Sequence, residues 1–151
     1  MDSITLPDDG VIRLVGWPDA LADSIGHPVH GEYVEHFWLG ILGPTATWLL
    51  RRFGDSIRAF PEGCEIDLAP LAQSLGLAFH PGRVNPFSRG FDRLAMFGLV
   101  RHVSSRPLQT FAVRGRVPPL SHRQLARLPR QLQESHSDIV APVTAMVSVR
   151  T

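Results

Sequence analysis

The sequence predicts a mainly helical α+β chain with a small β-hairpin. Three observations carry this. Apolar positions recur at helical spacing over 68–75 and again over 87–99, and a glycine, Gly76 or Gly98, falls at the end of each stretch. An alternating segment, Val100-Arg101-His102-Val103, then meets the turn Ser104-Ser105-Arg106-Pro107 and a returning strand from Gln109 to Arg114. The chain has 151 residues, 44% hydrophobic and 19% charged, enough for one core and too apolar for a disordered chain.

Taken in order, residues 1–31 read as an N-terminal arm. Val11 to Val15 has room for a short strand between Gly10 and Gly16, Asp19 to Ile25 has room for one or two helical turns, and His27-Pro28-Val29-His30-Gly31 is turn-like. The arm is too poor in apolar residues to fold alone, so it is expected to lie across the body or to serve as a dimer contact. Glu32 to Leu42 reads as a helix or packed apolar segment, and Gly43-Pro44 marks a restart, proline being tolerated at a first helical position. Ala46, Leu49, Leu50, Phe53 and Ile57 then recur at helical spacing up to about Ala59, with Arg51, Arg52, Asp55 and Arg58 on the wetter face.

Cys64-Glu65-Ile66 has room for a short strand, expected to pair with the later hairpin. Asp67 is placed to cap the helix carrying Leu68, Leu71, Ala72 and Leu75. The connection from Leu77 to Val84 contains His80-Pro81-Gly82-Arg83 and reads as an exposed loop. Asn85-Pro86 opens the next helix with a cap followed by proline. Phe87, Phe91, Leu94, Ala95 and Leu99 face its core side, and Ser88, Arg89, Asp92 and Arg93 face out. Gly90 weakens this helix by about 1 kcal/mol relative to alanine; it either permits close approach of a backbone or phosphate or is merely tolerated, and toleration is the favoured reading. Beyond the hairpin, Ser121 caps a helix over 122–128, Pro129 breaks it, and a second helix follows over 129–138. The tail from Ala141, with Val143, Val147 and Val149, suits a strand. The chain therefore divides into an arm (1–31), a core (32–120) and C-terminal helices with a tail (121–151), all within one domain.

Charge is unevenly spread. Residues 1–50 hold seven acids against Arg13, a balance of −6, whereas residues 51–130 hold thirteen arginines against five acids, a balance of +8; the whole chain is +1. All fifteen basic residues are arginine, the better fork for phosphate and guanine. One basic region on a near-neutral chain suits a nucleic-acid face. No apolar run approaches the ~20 residues of a membrane span. The start Met1-Asp2-Ser3 lacks the layout of a signal peptide, and the lone Cys64 has no partner for an internal disulfide. A cytoplasmic setting is expected.

The run Arg93-Leu94-Ala95-Met96-Phe97-Gly98-Leu99-Val100-Arg101 is similar to the helix-end, Gly-Leu-Val-Arg, wing signature of winged helix-turn-helix transcription regulators. With the preceding 68–76 helix, the resemblance covers residues 45–116. It implies duplex DNA binding, with the 85–97 helix in the major groove and the 100–116 hairpin on an adjacent groove or backbone. Carried over by position, Ser88, Arg89, Asp92 and Arg93 are the helix contacts, and Arg101, Arg106 and Arg114 the wing contacts. A homodimer is the usual way such modules gain affinity. The whole chain, through Phe37-Trp38-Leu39, the 43–52 segment and Leu128-Pro129, also resembles a family of small actinobacterial proteins, which brings no activity with it.

Other chemistries find less footing. His27, His30 and His36 are close in sequence, with Cys64 or His80 as further metal ligands, but there is no CxxC or HExxH pattern. Cys64 sits beside Glu65, which would raise its pKa, and no serine elbow or glycine-rich phosphate loop occurs. No catalytic residue, metal or cofactor is expected. Trp17, Trp38 and Trp48 read as core or interface anchors. The alternative function is a winged helix used as a protein-interaction module or adaptor, favoured by the acidic, Trp-containing first fifty residues.

Overall fold

The structure, a computed structural model, describes residues 4–138. Its elements run β1 (Val11–Gly16), α1 (Ala20–Ile25), β2 (His27–Pro28), a π-helical turn (Val34–Trp38) continuing into α2 (Leu39–Leu42), α3 (Pro44–Ala59), β3 (Cys64–Asp67), α4 (Leu68–Ser74), α5 (Pro86–Met96), β4 (Val100–Ser104), β5 (Thr110–Val113), β6 (Arg116–Val117) and α6 (His122–Leu125). A last helix, α7, covers residues 130–138. Helices and a small sheet together give the α+β class. The Met1-Asp2-Ser3 start and the tail from Ala141 lie outside the described residues.

The sheet has four strands in the order β3-β1-β5-β4. β1 runs antiparallel to β3 and parallel to β5, and β4 and β5 form the antiparallel hairpin. This corrects two expectations. Part of the supposed arm is an interior strand, and β3 reaches the hairpin only through it. The cause is alternation along β1: Ile12 and Leu14 are fully buried, while Val11, Arg13 and Val15 turn to the other face. Pairing on both sides also removes β1's unpaired backbone edge.

α3 and α5 cover the inner face. Phe53 of α3 meets Phe91 of α5 edge-on at 5.5 Å between ring centroids, and Phe91 meets Phe111 of β5 at 4.9 Å. This aromatic line joins helix, helix and sheet, and all three rings are fully buried. Removing any one would cost about 3–5 kcal/mol. At Gly90 the two helices lie close together: a Cβ there would lie 2.9 Å from Thr45 Cγ2 and 3.5 Å from the Ala46 nitrogen. The glycine therefore stands at a close helix–helix contact, where larger side chains would not fit, rather than being merely tolerated.

Both helices of the central unit stop as the sequence predicts. Gly76 and Gly98 take positive φ, +74° and +70°, and the next amides, Leu77 N–H and Leu99 N–H, reach back to the Ala72 and Leu94 carbonyls at 2.9 Å each. At the helix starts the outcome divides. Asn85 caps α5 as expected, exchanging hydrogen bonds with Ser88. Asp67 stands at the cap position of α4, but its side chain makes no capping bond. It is the last residue of β3, opposite Val11, and the third helical residue, Pro70, has no N–H to offer it, while Leu68 N–H at the first position donates to the Gly10 carbonyl at 2.7 Å.

Of the three tryptophans only Trp38 is core, at 1% exposure, with its indole N–H on the Pro118 carbonyl at 2.9 Å. Trp48 is 49% exposed, because Ala46, Leu49, Leu50 and Phe53 already fill the buried side of α3.

Candidate nucleic-acid interface

α5 presents Arg89, Arg93 and Met96 outward, one helical face at i, i+4 and i+7, while Phe87, Gly90, Phe91 and Leu94 turn in. Ser88 and Asp92 are half-buried at the margin of that face. Each of the four predicted helix residues has a distinct fate. The Ser88 hydroxyl accepts from Asn85 N–H at 3.0 Å and donates to the Asn85 carbonyl at 3.1 Å, so it belongs to the cap. Asp92 Oδ1 accepts from Ile4 N–H at 2.7 Å, which draws the N-terminal segment over the helix. Arg93 donates through Nη2 to the Ile41 carbonyl at 3.1 Å, at the end of α2. Arg89 is exposed, and its side chain makes no hydrogen bond or ion pair among the described residues.

The three wing arginines do not share one surface. Val100 and Val113 pair on the inner, buried side, so Arg101 and its partner Ala112 fall on the outer face with Val15. There the Arg101 guanidinium lies over the Trp17 ring at 4.4 Å, and that of Arg114 lies over the same ring at 3.9 Å. Arg114 also donates to the Gly98 carbonyl at 2.8 Å and to Asp19 Oδ2 at 2.7 Å. That bond and the cap amide of Ala22 hold the Asp19 carboxyl below its usual range. Asp19 thus caps α1 and pins Arg114 at once. Arg106 sits in the hairpin turn, where its backbone N–H and carbonyl bond the Ser104 hydroxyl at 3.2 and 2.9 Å, while its guanidinium is exposed and without a partner among the described residues.

The predicted residues therefore fall in three places. α5, bearing Arg89, packs on the inner side of the sheet; Arg101 and Arg114 lie on its outer face; Arg106 stands at the turn between β4 and β5. Trp17 and Asp19, which organise the outer group, were missed by sequence reasoning. The only sequence signal was the polar and aromatic continuation of β1's outward-facing positions.

Other titratable groups are held by packing. Burial raises the Cys64 thiol, with Arg13 acting against it; the cause is burial rather than the neighbouring Glu65. His27 stacks on Tyr33 at 3.7 Å, and the Tyr33 hydroxyl lies 2.7 Å from His136 Nε2. His30 bridges Asp55 at 2.7 Å and Arg58 at 2.8 Å. Among the described residues no three His, Cys, Asp or Glu side chains gather as a metal site, and no helix is long and apolar enough to cross a membrane.

No protein-family model matches the chain, and no curated protein matches its sequence. In fold it is similar to the crystal structure of residues 1–300 of the primosome protein DnaB from Geobacillus stearothermophilus, with a TM-score of 0.50 and 14% identity over 83% of this chain. The match spans 44% of that solved chain, less than half its length, and at that identity the likeness is one of fold.

Proposed function

We propose that the protein binds duplex DNA as a winged-helix transcription regulator, seating α5 in the major groove and laying the β4–β5 hairpin against the neighbouring backbone. The observation that carries this reading is the state of Arg89 and Arg106. Both are exposed and without partners among the described residues, one on the outward face of α5 and one in the hairpin turn. The order α3, β3, α4, α5, β4, β5 supports it, as helix, strand, two helices and a hairpin. Arg89 approaches base edges or phosphate, Arg106 and Arg101 contact phosphate, and Arg93, Arg114, Ser88 and Asp92 hold the helix and sheet in position. Arginine suits these contacts because its planar fork matches phosphate and guanine. The fold likeness to part of a primosome protein brings no activity to this chain.

One observation favours the interaction-module alternative. Arg93 and Arg114 are engaged within the protein, leaving Arg89, Arg101 and Arg106 of the five predicted arginine contacts for phosphate. The test is fluorescence anisotropy with random duplex DNA for Arg89→Ala and Arg106→Ala. Each substitution is expected to weaken binding about three- to tenfold and to lower the salt slope by about one contact, with unchanged thermal stability. An unchanged affinity in the double variant would reject the interface.

A further inference from the structure

Beside Trp48 a groove of about 310 Å³ opens between α3 and the end of α4. Pro44, Trp48 and Arg52 form its α3 wall at i, i+4 and i+8, and Ser74, Leu75 and Leu77 form the other. Its size is at the lower end for small-molecule sites, and its composition, apolar with a few polar groups, is the usual one. None of these residues belongs to the DNA contacts proposed above, so the inference stands independently of that reading.

Two features say what the groove would take. Trp48 leaves 49% of its surface exposed, although three α3 residues near it, Leu49, Leu50 and Phe53, are fully buried. A flat apolar face is thus left open. Arg51 and Arg52 both lie near this ring, at 5.4 and 5.9 Å, but they are not equivalent. Arg51 donates to the Val29 and Gly31 carbonyls. Arg52 Nε is buried and has no hydrogen-bond partner among the described residues. That nitrogen is closed to the groove, but Arg52 lines the groove and its guanidinium makes no hydrogen bond or ion pair among the described residues, so its terminal nitrogens are left for an anion. The lining holds no Asp or Glu to supply one.

We propose that this groove binds a small carboxylate with a flat apolar body, the ring lying on Trp48, Leu75 and Leu77 and the carboxylate meeting Arg52. The experiment is titration of the full chain with benzoate, and in parallel with the uncharged isostere benzamide. It is followed by the Trp48 indole N–H resonance, identified with Trp48→Phe. Expected is saturable benzoate binding near or below about 1 mM, at least about tenfold weaker for benzamide and for Arg52→Gln. A shift that never saturates would overturn the proposal, as would equal binding of benzoate and benzamide by the unaltered protein, whatever the fold of the variant.

Discussion

Gly90 shows how a single residue resists reading from sequence. Within an otherwise amphipathic helix it looks like a weak point, since glycine lowers helix stability by about 1 kcal/mol. Only the packed structure reveals Thr45 and the Ala46 backbone against it. Two substitutions separate these effects. Gly90→Ala should change stability by less than about 1 kcal/mol, because the helix-propensity gain offsets a small displacement of Thr45. Gly90→Val should cost about 1–3 kcal/mol, because the added methyls meet the backbone of α3. Urea unfolding of both variants measures this, and an equally stable Gly90→Val would refute the packing role. Asp67 and Trp48 teach the same lesson. Their types suit a cap and a core, but Asp67 ends β3 in register with Val11 and faces a first turn whose third residue, Pro70, has no N–H, and α3 had already filled its buried side. By contrast the roles of Asn85, Gly76 and Gly98 were legible, because caps depend on neighbours within a few residues.

At the scale of elements, local signals again outran long-range ones. α3, α5 and the hairpin follow from periodicity within one segment. The place of β1 between β3 and β5 does not, because it is set by pairing across the length of the fold. The docking of α7 is likewise non-local and leads to a pH prediction. The Tyr33 hydroxyl accepts from Leu120 N–H at 2.9 Å and lies 2.7 Å from His136 Nε2, to which its own proton can go when that ring is neutral. Burial lowers the pKa of His136, and it lowers that of His27 on the other side of Tyr33, where Arg116 adds to the effect. Bases depressed below their ordinary 6.5 bind fewer protons folded than unfolded. Their contribution is therefore complete above that value and is lost as pH falls through the lower folded values. The melting temperature should fall on going from about pH 7.5 to about pH 5.5. His27→Gln combined with His136→Gln should flatten that fall. A pH response identical in the double variant would show that the cluster does not contribute.

Over the whole molecule, the charge asymmetry is the feature that sequence conveyed best and structure redistributed most. The +8 balance of residues 51–130 does not become one basic face. Arg114 neutralises Asp19, Arg51 and Arg93 bind carbonyls, and Arg58 meets His30. Arg89 and Arg106 are left as the free cations of the predicted interface, with Arg101 exposed over Trp17. The candidate residues were legible by type and position, but which of them are free was not, since that depends on carbonyls and acids from distant elements. A predicted interface with so few free arginines implies a weakly salt-dependent DNA binder rather than a strongly salt-dependent one. The measurement that tests this most directly is the affinity of the purified protein for random duplex DNA across a salt series. Binding at low salt, with log affinity falling against log salt by a slope of about 2–3, corresponds to the two or three free arginines, at ~0.9 per phosphate contact. Absence of binding even at low salt would contradict the DNA-binding account.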